Sequence, residues 1–239
     1  MHISHVDSPM EAEAKFAHSL SMNQMPPSQD APASEVSAQT AASRRTLLLA
    51  LIPIGIVINL GVGVVVQMLK LPIYLDAIGT ILITLLIGFR AGAAVGVLSF
   101  LIGGVLVSPV LPYFCGTQLV IAAYVAFLAR FGGYKTMLRT IASGIGLGVV
   151  AGIASAPVIV LVFGGVDGTS GASVVTSFLI ASGKQVFQAV VISGLASEPL
   201  DKTLQCLIAL WLARGMPRRI LAKLPPGYRK ENDLDKRAA

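Results

Sequence analysis

From Thr46 to Ala213 the chain runs as apolar blocks separated by short polar marks. No other feature constrains its fold as much. Charged residues make up 13% of the 239 positions, about half the share of an ordinary soluble domain. That is too little charge to cover a water-facing surface around a core of this size. With a mean hydropathy of +0.77, the chain reads as an all-α, polytopic membrane bundle, with lipid as its outer solvent. The alternating apolar and polar residues of an outer-membrane barrel strand are absent.

The apolar runs predict helices over 46–69, 72–88, 91–108, 112–131, 136–163, 172–196 and 199–213. Breaks fall at Lys70 to Pro72, at Arg90, at Pro109 and Pro112, at Gly132 and Gly133, and at "FGGVDGTSG" over 163–171. Ser197, Glu198 and Pro199 read as a helix start, with proline at the first helical position. If Arg44 and Arg45 are cytoplasmic, then Arg90, Arg130, Lys135, Arg139 and the basic residues from Arg214 onward share that side, and Lys70 is outside. An odd number of crossings must separate residue 163 from residue 214, so 172–196 and 199–213 do not both cross. The count is six transmembrane helices plus one interfacial or re-entrant helix. At about 1.5 Å per residue, the longer run spans the roughly 30 Å core and the shorter reaches only about 22 Å. Length therefore favours 172–196. Both termini are then cytoplasmic, as expected for a bacterial inner-membrane protein.

The flanks differ from this body. Residues 1–43 hold five acids and one lysine among Pro, Ser, Ala and Gln, with no apolar face to bury, and read as a disordered tail. Residues 214–239 hold eight cations and three acids, a basic cytoplasmic tail that marks topology before it suggests nucleic acid. "SRRTLLLALIPI" at 43–54 resembles a twin-arginine export signal. Its apolar run is too long for a signal peptide and no small-x-small cleavage site follows promptly, so it reads as the first membrane helix.

Small residues recur at four-residue spacing. Gly144, Gly148, Gly152 and Ala156 form one stripe, Gly92 and Gly96 a second, and Gly55, Asn59 and Gly63 a third. In lipid such stripes let backbones approach closely, either inside the bundle or against a separate membrane partner. Polar residues within the apolar body are the other signal, because they face cavities or pair with one another. They are Asn59, Asp76, Gln118, Lys184, Gln185 and Gln188. Asp76 reads as a cap on a helix start, a ligand contact, or a partner for Lys184. Lys184 has Gln188 one turn away on the same face. Tyr74, Tyr113 and Phe114 are interface aromatics or a lid over a pocket. A pocket with a lysine and glutamines suits a carboxylate-bearing or heterocyclic solute.

Catalytic and metal chemistry find no foothold in the motifs. Cys115 and Cys206 lie far apart, and His2, His5 and His18 all fall in the tail, so neither a disulfide framework nor a metal spacing is present. No phosphate-binding loop, nucleophile elbow or zinc-protease motif occurs. "GIGLGVVAG" at 144–152 follows no strand and reads as packing. The expectation is a protein that is not an enzyme, has no cofactor and binds no metal. Uphill transport by it would need ion coupling or another protein's ATPase.

"LKLPIYLDAIGTILITLLIGFRAGAAVGVLSFLIGG" at 69–104 resembles the second and third helices of the substrate-binding S components of energy-coupling factor (ECF) transporters. "SAPVIVLVFGGVDGTSG" at 155–171 and "SEPLDKTLQCLIALWLARGMP" at 197–217 look like later segments of an S-component subfamily, and the resemblance covers roughly 46–217. It implies a six-helix subunit that captures a vitamin or similar micronutrient outside, docks on a transmembrane coupling protein bound to two ATPases, and topples to release the solute. The family's docking motif in the first helix is alanine-rich; here Gly55, Asn59 and Gly63 stand in its place. The family's gating loop corresponds to "LKLPIY", which gives Tyr74 and Asp76 a functional reading. "EPLDK" would put Asp201 and Lys202 outside, near substrate, against the length argument. The substrate-binding candidates are Tyr74, Asp76, Gln118, Lys184 and Gln188. Two alternatives remain open: an ion-coupled secondary carrier using Asp76 and Lys184, and a membrane sensor or scaffold acting through the basic tail.

Overall fold

The computed structural model describes residues 33–69, 71, 73–168, 171–217 and 220. The chain divides into two compact units, Met1–Arg45 and Thr46–Ala239. The described part of the first is a helical backbone over 33–45, within the stretch whose composition suggests disorder. The rest of that stretch, with its three histidines, and most of the basic tail lie outside the described residues.

The helices are α1 (Ala33–Met68), α2 (Ile78–Leu86), α3 (Phe89–Leu106), α4 (Cys115–Arg130), α5 (Met137–Phe163), α6 (Gly171–Ala181) and α7 (Val186–Gly215), with a 3-10 turn at Leu111–Phe114 leading into α4. No strand occurs among the described residues. Four segments are long and apolar enough to cross a membrane: Leu49–Met68, Phe89–Leu106, Leu111–Arg130 and Met137–Phe163. Large apolar side chains such as Val105, Leu161, Phe178 and Trp211 stand exposed on the outside of the bundle. An apolar exterior of this extent suits lipid rather than water.

The C-terminal part departs from the sequence reading. The break falls at 182–185, and α7 continues unbroken through Ser197, Glu198 and Pro199. Gly183 takes a left-handed φ of 87°, which glycine adopts without steric cost, and Gln185 is extended ahead of α7. Pro199 forgoes one backbone hydrogen bond inside the helix, a loss that helices packed in a bundle tolerate. The choice between a crossing 172–196 and a crossing 199–213 therefore gives way to one helix of 30 residues, about 45 Å long.

α2 lies at the centre. All nine of its residues are buried, and α3, α4 and α7 pack around it. α1 crosses it where two glycines meet: a β-carbon on Gly79 would run into the Gly55 carbonyl, and one on Gly55 would meet Ile83. Ile78, Ile81, Ile83, Val95, Ile121, Val125 and Leu147 belong to the resulting core.

The stripe on α5 is spent inside the bundle. A β-carbon on Gly144 would meet Thr203, one on Gly148 would meet Pro199, and Gly152 faces Gly194 and Glu198. The partner numbers fall as the α5 numbers rise, so the two helices run antiparallel along this seam. Beside it, Ala156 is buried.

Charge separates the two ends of the bundle. Arg90, Arg130, Lys135, Arg139 and Arg214 sit at or near the helix ends on one side. There Arg214 donates to the Lys135 carbonyl at 2.9 Å. The opposite end carries the extended stretch 73–77, the 3-10 turn and the loop after α5.

Candidate functional site

The site begins with four polar residues on α7. Glu198, Asp201, Lys202 and Gln205 follow one another at steps of three, one and three, which aligns them on one helical face. All four are buried. An isolated charge there would be costly to bury, and the arrangement satisfies most of what it buries.

Asp201 is the anchor. Its Oδ1 accepts the backbone N–H groups of Tyr74 and Leu75, each at 3.0 Å. Its Oδ2 accepts from Gln205 Nε2 at 2.7 Å and from Lys202 Nζ. Gln205 Oε1 in turn accepts the Ala77 N–H at 3.0 Å. The extended stretch is thus pinned at three successive points to one face of α7. Leu75 sits at a φ of 49°, a left-handed conformation that a leucine seldom adopts and that these bonds hold in place.

Lys202 Nζ gathers the remaining charges. It lies 3.2 Å from Glu198 Oε2 and 3.6 Å from Asp76 Oδ1, and 5.4 Å from the centre of the Tyr74 ring, within cation–π range. Both of those carboxylate oxygens are buried, and neither meets a further hydrogen-bond donor.

A second polar network fixes α2. Asn59 Oδ1 accepts the N–H groups of Gly79 at 2.6 Å and Thr80 at 3.3 Å. Its amide donates to Thr80 Oγ1 at 2.9 Å and Ser99 Oγ at 3.1 Å. Thr80 Oγ1 in turn donates to Gln118 Oε1 at 2.8 Å. An asparagine of α1 therefore caps α2 across space, satisfying donors that a helix start leaves open. Asp76 makes no such cap: Ala77 occupies the cap position, without a side-chain bond.

Between these networks lies a cavity of about 620 Å³, counting its open mouth. Tyr74, Asp76, Gln118, Glu198 and Lys202 contribute polar groups, and Ile73, Phe100, Leu111, Ile121 and Ile159 apolar ones. Phe114 and Asp167 also line it. Phe114 stacks on Phe163 at 6.0 Å, and Tyr113 meets that ring edge-on at 5.5 Å. Ser173 Oγ donates to Asp167.

The cavity thus brings together Tyr74, Asp76 and Gln118 of the sequence candidates. It does not include Lys184 or Gln188, which are exposed between α6 and the first turn of α7. Of the lysine and glutamines expected in a pocket, Gln118 is on the wall and Lys184 and Gln188 are not. Gly55, Asn59 and Gly63 also require correction as a docking face. Asn59 is 2% exposed, Gly55 packs against α2, and Gly63 faces Asp76, so the stripe is turned into the bundle. Glu198 and Gln205 were missed as site residues. Their spacing becomes legible once 197–199 is taken as helix interior instead of a helix start. Asp201 and Lys202, singled out by the resemblance alone, stand at the site: Lys202 lines the cavity and Asp201 holds its wall.

Cys115 and Cys206 are free thiols, and no cluster that could hold a metal ion occurs among the described residues. No family model, curated protein or solved structure matches the chain.

Proposed function

We propose that this chain is the solute-capture subunit of an ECF-type importer, an S component that delivers a vitamin-like micronutrient to a coupling protein and its two ATPases. The observation that carries the proposal is the cavity between the 73–77 stretch and the polar face of α7. It has the apolar walls and the few convergent polar groups of a small-molecule site. The resemblance of 69–104 and 197–217 to S components supports the same reading, since those segments supply Tyr74, Asp76, Glu198 and Lys202.

In this reading α1, α2 with its extended lead-in, α3, α4, α5 and α7 make six crossings in a bacterial inner membrane, and α6 is the interfacial or re-entrant helix. Both termini are cytoplasmic, so the cationic end faces the cytoplasm and the cavity opens outward. The stretch 73–77, fastened to Asp201 and Gln205, is the gate. The subunit catalyses no reaction, and the coupling protein meets a surface other than the Gly55, Asn59 and Gly63 stripe.

Native mass spectrometry of the protein, purified in mild detergent from its host, tests the proposal. One retained small molecule per chain with co-purifying ATPases is the expected result. A solute-free chain without ATPases overturns it. One observation favours a second reading, an ion-coupled carrier: three carboxylates, Asp76, Glu198 and Asp201, share one lysine. That carrier would accumulate solute in liposomes with an ion gradient and no ATPase.

A further inference from the structure

We infer that the cavity takes an organic cation: an ammonium, amidinium or protonated heterocycle carried on an apolar or aromatic body. This deepens the reading of the cavity as a solute-capture site and rests on it.

The charge of the walls carries the argument. Asp76, Asp167 and Glu198 line the cavity, with Lys202 as the one opposing charge among its lining residues. In formal charge that is three negatives against one positive, in a protein whose formal net charge is +6. Arg90, Arg130, Lys135, Arg139 and Arg214 stand at the far end of the bundle, and Lys184 is exposed outside the cavity lining.

Hydrogen bonding sharpens the point. Asp201 has both oxygens occupied, by two backbone N–H groups, Gln205 and Lys202. Its charge is already met by the protein. Asp76 Oδ1 and Glu198 Oε2 are buried, and beyond the one Lys202 ammonium they share, at 3.6 and 3.2 Å, neither meets a hydrogen-bond donor. A single ammonium already shared with Asp201 leaves acceptor capacity and negative charge over. A ligand that donates hydrogen bonds and carries positive charge supplies both, whereas a carboxylate ligand adds a fourth negative charge and no donor. Thr117 Oγ1, also buried on the cavity wall without a partner, adds a polar contact for the ligand's other end.

The apolar walls decide between an organic and an inorganic cation. Phe100, Leu111, Phe114, Ile121 and Ile159 make up much of the lining, and a bare metal ion would leave that space without an occupant.

Charge-matched thiol reagents test the inference without knowledge of the solute. Thr117→Cys places a thiol on the wall, and Ile159→Cys is a second position should the first fail to fold. The purified full chain is reacted with trimethylammonium-ethyl and sulfonatoethyl methanethiosulfonate, and peptide mass spectrometry reads the rate at the introduced thiol separately from Cys115 and Cys206. Normalised to a free thiol, the cationic reagent should react faster by about tenfold or more, as expected for a charge-lined cleft. Glu198→Gln in the same background should shrink that ratio. Equal normalised rates, a faster anionic reagent, or no access for either reagent at both positions overturns the inference. The outcome does not depend on ATPase co-purification, so the cavity's charge preference and the importer reading stand or fall separately.

Discussion

Asp201 holds Leu75 across 126 positions of sequence: one carboxylate oxygen accepts the Leu75 N–H at 3.0 Å while that leucine sits at a φ of 49°. The same carboxylate balances the buried Lys202. Asp201→Asn keeps the shape but removes the charge, leaving the lysine short of its nearest partner. A loss of about 3 kcal/mol is expected, typical of a broken buried pair, read as a fall in thermal unfolding temperature in detergent. An unchanged midpoint would show that Glu198 and Asp76 suffice.

Leu75 itself offers an independent check of the held conformation. A β-branched residue tolerates a positive φ poorly. Leu75→Val should therefore destabilise by about 1–3 kcal/mol, while Leu75→Asn, which accepts that conformation, should recover part of the loss. Equal melting points for the two variants would mean that the stretch relaxes.

Asn59→Ala separates a clamp from a docking face. It removes the acceptor for Gly79 and Thr80, both buried, and each unsatisfied group costs about 1–3 kcal/mol. The lone purified protein should lose stability. A variant that is fully stable alone and fails only when mixed with a coupling protein would restore the docking role.

The α5–α7 seam predicts a contrast between two glycines. Gly148→Ala forces a β-carbon against the Pro199 backbone and should cost about 1–3 kcal/mol through overpacking. Gly61→Ala meets nothing nearby and should gain roughly 0.5–1 kcal/mol from helix propensity. Circular dichroism melts of the two variants in one detergent measure both signs.

For the solute, the site predicts opposite behaviour at two acidic and basic candidates. Asp76→Asn should lower the amount of solute retained on purification at least several-fold without loss of folded protein. Lys184→Ala, outside the cavity, should leave retention unchanged. Reduced retention with Lys184→Ala would return that lysine to the site.

Much of the architecture was legible because the membrane solvent is unforgiving. Apolar runs had to become helices, and the polar residues left among them had to pair or line a cavity. Asp76 and Gln118, both on the cavity wall, were singled out by that rule, and Tyr74 by its place among the aromatics and in the loop the resemblance marks. Lys184 and Gln188 satisfied the same rule on paper and miss the cavity, because Gly183 breaks the chain just before them and leaves them exposed. Glu198 and Gln205 were hidden by a local rule, Ser-Glu-Pro as a helix start. Packing overrode it: Gly148 receives the Pro199 backbone and the helix continues.

The sequence by itself determined the class of the protein: helical, with an apolar exterior, cations gathered in a few short segments, and small residues at helical spacing. These follow from composition and period, which need no knowledge of which element meets which. The tertiary structure alone decided what each marked residue does. It turned Asn59 from a surface stripe into the cap of a neighbouring helix, and it brought Asp76 to Lys202 across 125 intervening positions. It also set Asp76, Glu198 and Asp201 around one lysine. Such outcomes depend on long-range packing, because a buried polar group takes whichever partner the fold brings within about 3 Å, and sequence spacing does not encode that distance.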